Sequence, residues 1–477
     1  MRYITKTDLL IVARNSGNIM IGIGVMCLIP IIIDVAFFEF DLISFYIPAA
    51  LSISLGFIFR EIFEKIANKK VGVKHAMLIS TFAWLWASLI GGLVFMFATN
   101  VPIIDGVFES MSALTGTGAT IYPNVEILPY SILFFRALQQ WVGGLGVVVM
   151  IIGILTKPGT ATYKLYNSEA RDDRIKPSTV ATLKKIMKIY GIYTVIGIVL
   201  YLLAGMPLFD SICHTFTVIS TGGMSIKNAS IGYYHDDMIN LVTIIIMILG
   251  ATSFLVHYKV IKTRGKSLID DLQFKIIICV IAFVTLMLYF VSNIVPMDLL
   301  FTVVSAITTT GVSVASPATM GGWPSFVLIC IMCLMLTGGS SGSTVGAIKL
   351  VRIITFFKGI YRHIREILSP EGRVIPVKLG GSKIPDKAIA QAGNYITLYL
   401  MFIMFTWALF CLFGYDPFKS LFTAVSLQGN NGLDVGIVSN TLHPVLKIAS
   451  MFNMLTGRLE IYPVLITIRA LFDFVKR

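Results

Sequence analysis

Long apolar segments alternate with short polar or basic loops along the whole chain. A helix that crosses a bilayer needs about 20 apolar residues. Segments of this length lie near residues 16–37, 42–59, 76–98, 131–155, 186–205, 238–260, 275–295, 324–348, 394–414 and 441–470. Shorter semi-apolar stretches at 106–116, 210–220, 299–309 and 418–428 cannot cross and are typical of re-entrant helices. The pattern predicts an all-α polytopic membrane protein with about ten spans.

Four nine-residue windows repeat one pattern between these apolar segments. They occupy residues 112–120, 217–225, 305–313 and 426–434. Each begins with Ser or Thr, has mostly small or polar residues in its middle, and has Gly at its seventh position. The seventh-position glycines, Gly118, Gly223, Gly311 and Gly432, are separated by 105, 88 and 121 residues. Self-similarity of this kind indicates a chain built from repeated units.

Each unit consists of a span, a short helix, a window and a second span. The chain then divides into an N-terminal transmembrane hairpin at 1–60 and four units at 61–175, 176–264, 265–375 and 376–477. Four such units can enclose a single axis. The predicted fold is therefore four pseudosymmetric repeats of helix, pore helix, filter and helix around one pore, plus a two-helix hairpin. A single window could be a helix-breaking turn or a small-residue packing contact, but four in the same topological place favour a pore.

Composition and charge agree with a membrane protein. The chain is 56% hydrophobic and 13% charged, with a net charge of +13. Lys and Arg are concentrated in loops at 60–74, 157–188, 259–275 and 349–387, whereas the opposite segments carry mainly acids. Basic loops are typically cytoplasmic, so the charge indicates membrane orientation rather than nucleic-acid binding. Both termini are predicted to be cytoplasmic, with the windows entering from outside.

The windows are suited to binding a dehydrated cation. Backbone carbonyls can replace the water oxygens of an ion, and glycine accepts the backbone angles that orient them. We expect hydroxyls such as Thr115, Thr120, Ser225, Thr308 and Ser313 to add oxygens or to brace the strands. The predicted selectivity filter comprises Thr115, Gly116, Thr117, Gly118, Ser220, Thr221, Gly222, Gly223, Thr308, Thr309, Thr310, Gly311, Gln428, Asn430, Asn431 and Gly432.

Each short helix has a carboxylate near its start. Asp105, Asp210 and Asp298 each lie 13 residues before the window glycine, and Asp416 lies 16 residues before its own. A carboxylate at a helix N-terminus can cap free N–H groups and interacts favourably with the helix dipole. The opposite, negative end of each helix would then point toward a cation in the pore.

The second spans of the units differ beneath the filter. Aligned on Gly143, Gly250, Gly338 and Gly457, three units have a small residue next, and the fourth has Arg458. A charge within a bilayer generally faces a cavity or a partner, so we expect Arg458 to form an electrostatic barrier on the axis. The alternatives are a salt bridge with Glu460 or snorkelling to the interface. In the third unit, the glycine- and hydroxyl-rich stretch at 337–348 predicts a movable intramembrane gate rather than a tolerated kink. The predicted gate residues are Gly338, Gly339, Ser340, Ser341, Gly342, Ser343, Gly346, Lys349 and Arg458.

Two other motifs are weaker. Gly339–Gly342 reads G-x-S-G, which would suit an intramembrane serine protease with Ser341 as nucleophile, but no histidine is placed by the topology to act as its base. Cys330 and Cys333 form a CxxC without a second pair or a nearby histidine, which favours helix packing over a metal or redox site. The interpretation is a transport protein without a catalytic site.

The combination of motifs resembles a known family. The four glycine windows, the segments 136–146 and 338–349, and the sequence from Gly457 to Glu460 are similar to the Trk/Ktr/HKT superfamily of potassium transporters. The extra hairpin resembles the Trk-type (TrkH-like) membrane subunit. The resemblance implies K⁺ uptake through a pore gated by the intramembrane loop and the membrane arginine. It also implies a homodimer on a cytosolic TrkA-type ring that binds NAD(H) or ATP/ADP, in the plasma membrane of a prokaryote.

The partner, not this chain, would bind the nucleotide, because the sequence has no G-x-G-x-x-G after a strand and no P-loop lysine motif. We expect no cofactor on this chain, K⁺ ions alone in the filter, membrane lipid as surroundings and no nucleic acid. Family members that favour Na⁺ tend to carry Ser at a filter glycine, and all four positions here are Gly. A Na⁺-permeable pathway or a symporter that couples K⁺ to H⁺ or Na⁺ remains the alternative.

Overall fold

The structure is a computed structural model. It describes residues 5–475 apart from 64–71, 147–178, 264, 371–372, 374 and 380–381. The predicted basic loops at 60–74 and 157–188, and the last part of the predicted span 131–155, thus lie largely outside the described residues. Within the described residues, six helices are long and apolar enough to cross a membrane, or seven if one bent pair counts as a span. The protein is an all-α, multi-pass membrane protein, as predicted.

The N-terminal hairpin consists of α1 (Lys6–Leu28), α2 (Ile31–Ala36) and α3 (Leu42–Ile62). Glycines allow α1 and α3 to approach closely: a Cβ atom added to Gly17 would lie 2.7 Å from the carbonyl oxygen of Gly56. The Ser52 hydroxyl donates to the carbonyl of Met20 at 2.7 Å and so satisfies a polar group between the two helices. The hairpin packs on α4 (Val73–Thr99), the first span of unit one.

Each unit contains a long first helix, a short pore helix and a second helix. In unit one, α4 is followed by α5 (Ile103–Thr115) and α6 (Tyr130–Leu145). Unit two has α7 (Thr179–Leu203), α8 (Leu208–Ile219) and α9 (Asp237–Ala251). Unit three has α12 (Leu272–Val291), α13 (Pro296–Ile307) and α15 (Ser325–Thr337), and unit four has α17 (Asp386–Leu412), α18 (Pro417–Gln428) and α19 (Pro444–Arg458). The order of these elements is the same in all four units.

The remaining elements connect the units. A 3-10 helix (Ser230–Tyr234) precedes α9, and α10 (Phe254–Thr263) and α11 (Lys266–Asp270) lead to unit three. The helix α14 (Pro317–Gly321) follows the third window, and α16 (Leu350–Ile367) follows the stretch that the sequence predicts to be a gate. A two-stranded antiparallel hairpin of β1 (Lys378–Leu379) and β2 (Ser382–Lys383) comes before α17, and α20 (Tyr462–Val475) ends the described chain.

Two predicted continuous spans are broken. The segment 238–260 is not one helix, because α9 and α10 meet at an angle of 105° across Thr252 and Ser253. The segment 441–470 divides into α19 and α20 at Glu460 and Ile461, both in the left-handed region with φ near 60°. The predicted break of 324–348 is present, since α15 ends at Thr337 and an irregular segment follows. In all four units, therefore, the second helix ends close to the aligned glycines Gly143, Gly250, Gly338 and Gly457, since α6 also ends at Leu145.

Candidate functional site

The four windows share one backbone conformation. The seventh-position glycines all have positive φ, between 76° and 85°. The fifth position is also left-handed in every window, although only Gly116 is glycine there; the others are Thr221, Thr309 and Asn430. Residues other than glycine are strained at such backbone angles. The glycines at position seven therefore indicate only one of the two left-handed positions in each window.

A common hydrogen bond sets this conformation at the end of each pore helix. The N–H of the sixth residue donates to the carbonyl of the first at 2.8–3.0 Å in all four windows. These pairs are Thr117 to Ser112, Gly222 to Thr217, Thr310 to Ser305 and Asn431 to Ser426. The pattern is the six-to-one bond of a Schellman helix terminus, which normally requires a left-handed residue. The pore helices thus end in the same way, and each terminus directs the following strand.

The windows form a closed ring. A Cβ atom on Gly118 would lie 2.4 Å from the carbonyl oxygen of Gly222 in unit two. Similarly, a Cβ on Gly223 would lie 1.9 Å from the Thr310 oxygen, one on Gly311 1.6 Å from the Asn431 oxygen, and one on Gly432 1.9 Å from the Thr117 oxygen. Each seventh-position glycine therefore contacts the sixth-position carbonyl of the next unit, in the order one, two, three, four, one. We call this arrangement the window ring; any side chain at a seventh position would separate two strands.

Hydroxyl groups form hydrogen bonds within and beside the strands. The Thr115 hydroxyl lies 2.8 Å from that of Thr117, and the Thr308 hydroxyl lies 2.8 Å from that of Thr310. Thr120 donates to the Glu109 carboxylate at 3.0 Å. Among the predicted filter residues of unit four, Asn430 donates to the Thr117 hydroxyl at 3.0 Å and links that unit to unit one, while Gln428 donates to Thr456 at 3.2 Å. All of these side chains except the half-buried Thr120 are buried.

On one side of the window ring lies a cavity of about 380 Å³, which we call the mouth cavity. It is lined by all four seventh-position glycines and by Arg136, Lys227 and Asp434. Arg136 forms a fully buried ion pair with Glu109 at 2.8 Å and donates to the carbonyl of Ser225 at 2.9 Å. This pair is not among the predictions from the sequence. An arginine within the apolar helix α6 is the feature that indicates a buried partner.

The four pore-helix aspartates have different partners. Asp416 caps its helix by accepting from the Lys419 N–H at 2.8 Å. Asp105, Asp210 and Asp298 lie in the first turn but make no capping hydrogen bond, so the expected capping role is wrong for these three. Asp105 instead forms a buried ion pair with Lys447 of α19 at 2.5 Å, and Asp210 accepts from the Tyr234 hydroxyl at 2.7 Å.

On the other side of the ring, Arg458 contacts two neighbouring units. Its guanidinium donates to the carbonyls of Gly143 at 2.6 Å and Gly144 at 2.9 Å, and also to the carbonyl of Thr344. The alternative of a salt bridge with Glu460 is not what the structure shows, because the Glu460 carboxylate pairs with Lys349 at 2.9 Å and with Arg352. Arg458 thus contacts the aligned glycines of unit one and the segment at 338–349 of unit three, and its role as a barrier on the axis stays a prediction.

Residues 338–349, which the sequence predicts to form a gate and which we call the gate segment, pack directly under the window ring. The Thr344 hydroxyl donates to the Gly250 carbonyl at 2.9 Å and lies 3.1 Å from the Thr221 hydroxyl. The N–H of Gly346 donates to the Thr309 hydroxyl at 3.2 Å. The N–H of Ser340 donates to the Ala251 carbonyl, which the break between α9 and α10 leaves available. The segment therefore covers the ring from below and rests on the broken helix of unit two.

The remaining predicted gate residues support this segment. Gly338 has a φ of 67° and Gly342 one of 72°, which allow the chain to leave α15 and reverse. Gly339 packs against Ala251 and Val345, where a Cβ would have contacts of 2.9–3.1 Å. The Ser343 hydroxyl donates to the Ser340 carbonyl at 2.6 Å. Lys349 ends the segment in the left-handed region, with a φ of 73°.

The structure brings no catalytic partner to Ser341 within the part of the chain that it describes. The Ser341 N–H donates to the Gln273 side chain at 2.9 Å. His257 uses one ring nitrogen on the Tyr193 hydroxyl and the other on the Leu249 carbonyl. His214 is similarly engaged by the Asp210 carbonyl and the Ser225 hydroxyl. Among the described residues, no group of three or more His, Cys, Asp or Glu side chains could hold a metal ion.

Comparisons with known proteins identify relatives of this chain. The chain is 38% identical over 471 residues to an uncharacterized cation transporter of Methanocaldococcus jannaschii, covering 98% of this chain and 97% of the relative. It is 32% identical over 413 residues to the Trk system potassium uptake protein TrkH of Escherichia coli K12, covering 82% and 84% of the two chains. The crystal structure of the potassium transporter TrkH from Vibrio parahaemolyticus superposes with a TM-score of 0.83 at 26% identity, over 96% of this chain and 98% of that one. A family profile described as "TrkH: Cation transport protein" matches residues 50–473, and the chain belongs to this family of membrane cation transport proteins.

Proposed function

We propose that this protein takes up K⁺ across the plasma membrane of a prokaryote through the window ring. The single observation that carries the proposal is the closed ring of glycine-to-carbonyl contacts, which joins four sixth-position carbonyls around one axis. A ring of carbonyl oxygens can replace the hydration shell of K⁺. The pathway then needs no cofactor on this chain and no ion other than the transported one. The names of the Trk relatives as potassium uptake proteins support K⁺ as the substrate.

The gate segment and Arg458 are proposed to close the pathway below the filter. The segment contacts both Thr221 and Thr309 of the ring, so an ion leaving the filter meets it first. Arg458 adds a positive charge at the same level, and its hydrogen bond to Thr344 holds the segment in place. Opening would require Thr344 to leave the Arg458 guanidinium and the Gly250 carbonyl.

Regulation is proposed to come from a cytosolic partner. The relatives belong to a Trk system, a name that implies more than one component. We propose that the side of the gate faces the cytoplasm, that both termini lie there, and that a homodimer of this chain rests on a TrkA-type nucleotide-binding ring. The amphipathic helix α16 supports this, because Phe357, Tyr361 and Ile364 are exposed on it beside basic residues. It follows the gate segment directly, so a force on α16 would act on the gate.

The experiment is K⁺ uptake at low external K⁺ in a strain that lacks its own uptake systems, with ion selectivity measured on purified protein in liposomes. Gly118→Ser is the test variant. The added side chain would clash with the Gly222 carbonyl, and the backbone at residue 118 has a φ of 82°, which strains any residue other than glycine. We expect it to fold and to lose K⁺-over-Na⁺ selectivity. Gly191→Ser is the matched control, since a Cβ on Gly191 of α7 meets nothing within 4 Å.

Three outcomes would contradict the proposal. Unchanged selectivity in folded Gly118→Ser protein would refute the filter assignment. Equal flux of Na⁺ and K⁺ in the wild type would favour the Na⁺-permeable alternative. Movement of H⁺ or Na⁺ in fixed proportion to K⁺ would favour a symporter.

A further inference from the structure

The second window lacks a side chain that the other three windows have. At the sixth position, Thr117 and Thr310 each hydrogen-bond to the threonine at the fourth position of the same window. Asn431 of the fourth window donates to the carbonyls of Ser305 and Ala306 at 3.2 Å. The corresponding residue of the second window is Gly222, which has no side chain to donate or accept.

A side chain from another unit occupies this place. Gln140 of α6, in unit one, is fully buried and reaches the second window. Its Nε2 donates to the Gly222 carbonyl at 2.6 Å, and its Oε1 accepts from the Met224 N–H at 3.0 Å. One amide therefore holds the strand on both sides of Gly223, the glycine that closes the ring with unit three.

The contact also explains why residue 222 is glycine. Its backbone is not in the left-handed region, so its conformation would accept a side chain. A Cβ atom at this position would lie 2.5 Å from Gln140 Cδ, 2.7 Å from Oε1 and 2.8 Å from Nε2. The space that threonine or asparagine fills in the other windows is taken by the Gln140 amide. The glutamine at residue 140 thus requires a glycine at residue 222.

We propose that Gln140 is a positioning residue that determines ion selectivity. From unit one, it gives the second filter strand the support that each other strand obtains from the side chain at its own sixth position. The inference rests on the proposed filter function. Two adjacent glycines, Gly222 and Gly223, have the greatest backbone freedom in the ring, so this strand depends most on an external support. Ion selectivity depends on the placement of the carbonyls, and Gln140 fixes one of them directly.

The neighbouring residue provides a matched control. Gln139 is equally buried and lies on the same helix, but its amide donates to the Ser110 hydroxyl at 2.8 Å on the first pore helix. Replacing either glutamine by leucine removes one buried amide of similar size. Only the change at Gln140 removes hydrogen bonds from a window backbone.

The test compares Gln140→Leu with Gln139→Leu in liposomes, with folding checked by size-exclusion chromatography. We expect Gln140→Leu, which loses both hydrogen bonds to the window backbone, to lower the K⁺-over-Na⁺ permeability ratio by about tenfold, and Gln139→Leu to leave it unchanged. An unchanged ratio in folded Gln140→Leu protein would overturn the proposal. If Gly118→Ser still alters selectivity in the same assay, the filter assignment survives and only the role of Gln140 fails.

A rescue experiment tests the proposal without relying on one variant. Gly222→Thr alone should disrupt the protein, because its side chain would overlap Gln140. The triple variant Ser220→Thr, Gly222→Thr, Gln140→Ala gives the second window the threonines of the first and third, and removes the overlap. We expect it to fold and to regain K⁺ selectivity. A folded triple variant that stays as unselective as Gln140→Leu would overturn the proposal.

Discussion

The guanidinium of Arg458 donates a hydrogen bond to the carbonyl of Thr344, 114 residues earlier in the chain. The bond joins the charge of unit four to the gate segment of unit three. The same guanidinium binds Gly143 and Gly144 of unit one. One side chain therefore connects three of the four units beneath the window ring.

Replacing Arg458 by alanine should raise K⁺ flux. Hydrogen bonds to charged groups contribute about 1.5–3 kcal/mol each, so the loss of the bond to Thr344 alone should favour displacement of the gate segment roughly tenfold or more. The removal of the positive charge lowers the barrier for a cation further. The measurement is the initial rate of Rb⁺ uptake into liposomes at saturating external Rb⁺.

Arg458→Lys separates the two effects. Lysine keeps the charge but lacks the planar set of donors that reaches Thr344 and Gly143 together. We expect its flux to lie between those of the wild type and Arg458→Ala. A flux of Arg458→Ala equal to or below that of the wild type, in folded protein, would show that Arg458 does not close the pathway.

The four glycine windows in the sequence predict four equivalent segments around one axis, but not the contacts between neighbouring units that form the window ring. The hydrogen bonds between units were not predictable. Asn430 reaches Thr117 across 313 residues and Gln140 reaches Gly222 across 82, and such contacts arise only when the ring closes. The alignment with small residues in the other units does predict that Arg458 lies against those units, and it contacts Gly143 and Gly144 of unit one.

The break between α9 and α10 is also not predictable from the sequence. The segment 238–260 is long and apolar enough to predict one span, yet the chain bends at Thr252 and Ser253. Backbone groups freed there bond to the gate segment: the Phe254 N–H donates to the Gly342 carbonyl, and the Ala251 carbonyl accepts from Ser340. The bend is stabilised by a different unit, and hydrophobicity within the segment carries no information about that partner.

Glu460→Gln should also open the pathway. Its carboxylate pairs with Lys349 at 2.9 Å and with Arg352, so it joins the end of the gate segment and the start of α16 to unit four. Lys349 and Glu460 both have left-handed backbones, which the ion pairs help to maintain. With glutamine, two cations lose their counter-charge, and we expect basal Rb⁺ flux to rise and the melting temperature in detergent to fall.

Glu366→Gln is the control for this prediction. Glu366 pairs with Arg362 at 2.6 Å within α16, one turn apart and away from the window ring. Such pairs contribute about 0.3–0.5 kcal/mol. Equal changes of flux in Glu366→Gln and Glu460→Gln would mean that a general loss of charge on α16, rather than the connection to unit four, is responsible.

Lys447→Met should destabilise the protein without opening it. The Lys447 ammonium lies 2.5 Å from Asp105, and both side chains are buried between unit four and the first pore helix. Removing one member leaves an uncompensated buried charge, which costs about 3–5 kcal/mol. The double variant Asp105→Asn, Lys447→Met should recover part of the loss, as thermal unfolding in detergent would show. If the double variant were less stable than Lys447→Met, the ion pair would not be the source of the effect.

Asp434 should make uptake sensitive to external pH. Its half-buried side chain lines the mouth cavity. It occupies the ninth position of its window, where the other three windows have Thr or Ser. Burial raises the pKa of its carboxyl, although the N–H groups of Ile437, Gly436, Val438 and Val435 act in the opposite direction. The carboxylate becomes neutral as the pH falls through this raised pKa, at a less acidic pH than for an exposed aspartate.

We therefore expect the K⁺ concentration for half-maximal uptake to increase as the external pH is lowered through this pKa. The attraction between unit charges about 6 Å apart in water is about 0.7 kcal/mol, or about threefold in affinity. Asp434→Asn should show the increased value already at the alkaline end of the titration and little further change in acid. Glu126→Gln is the control, because Glu126 is exposed, accepts from the Asn228 N–H at 2.9 Å and does not line the mouth cavity. An acid response that persists in Asp434→Asn would assign the titration to another group and remove Asp434 from the entry of the ion.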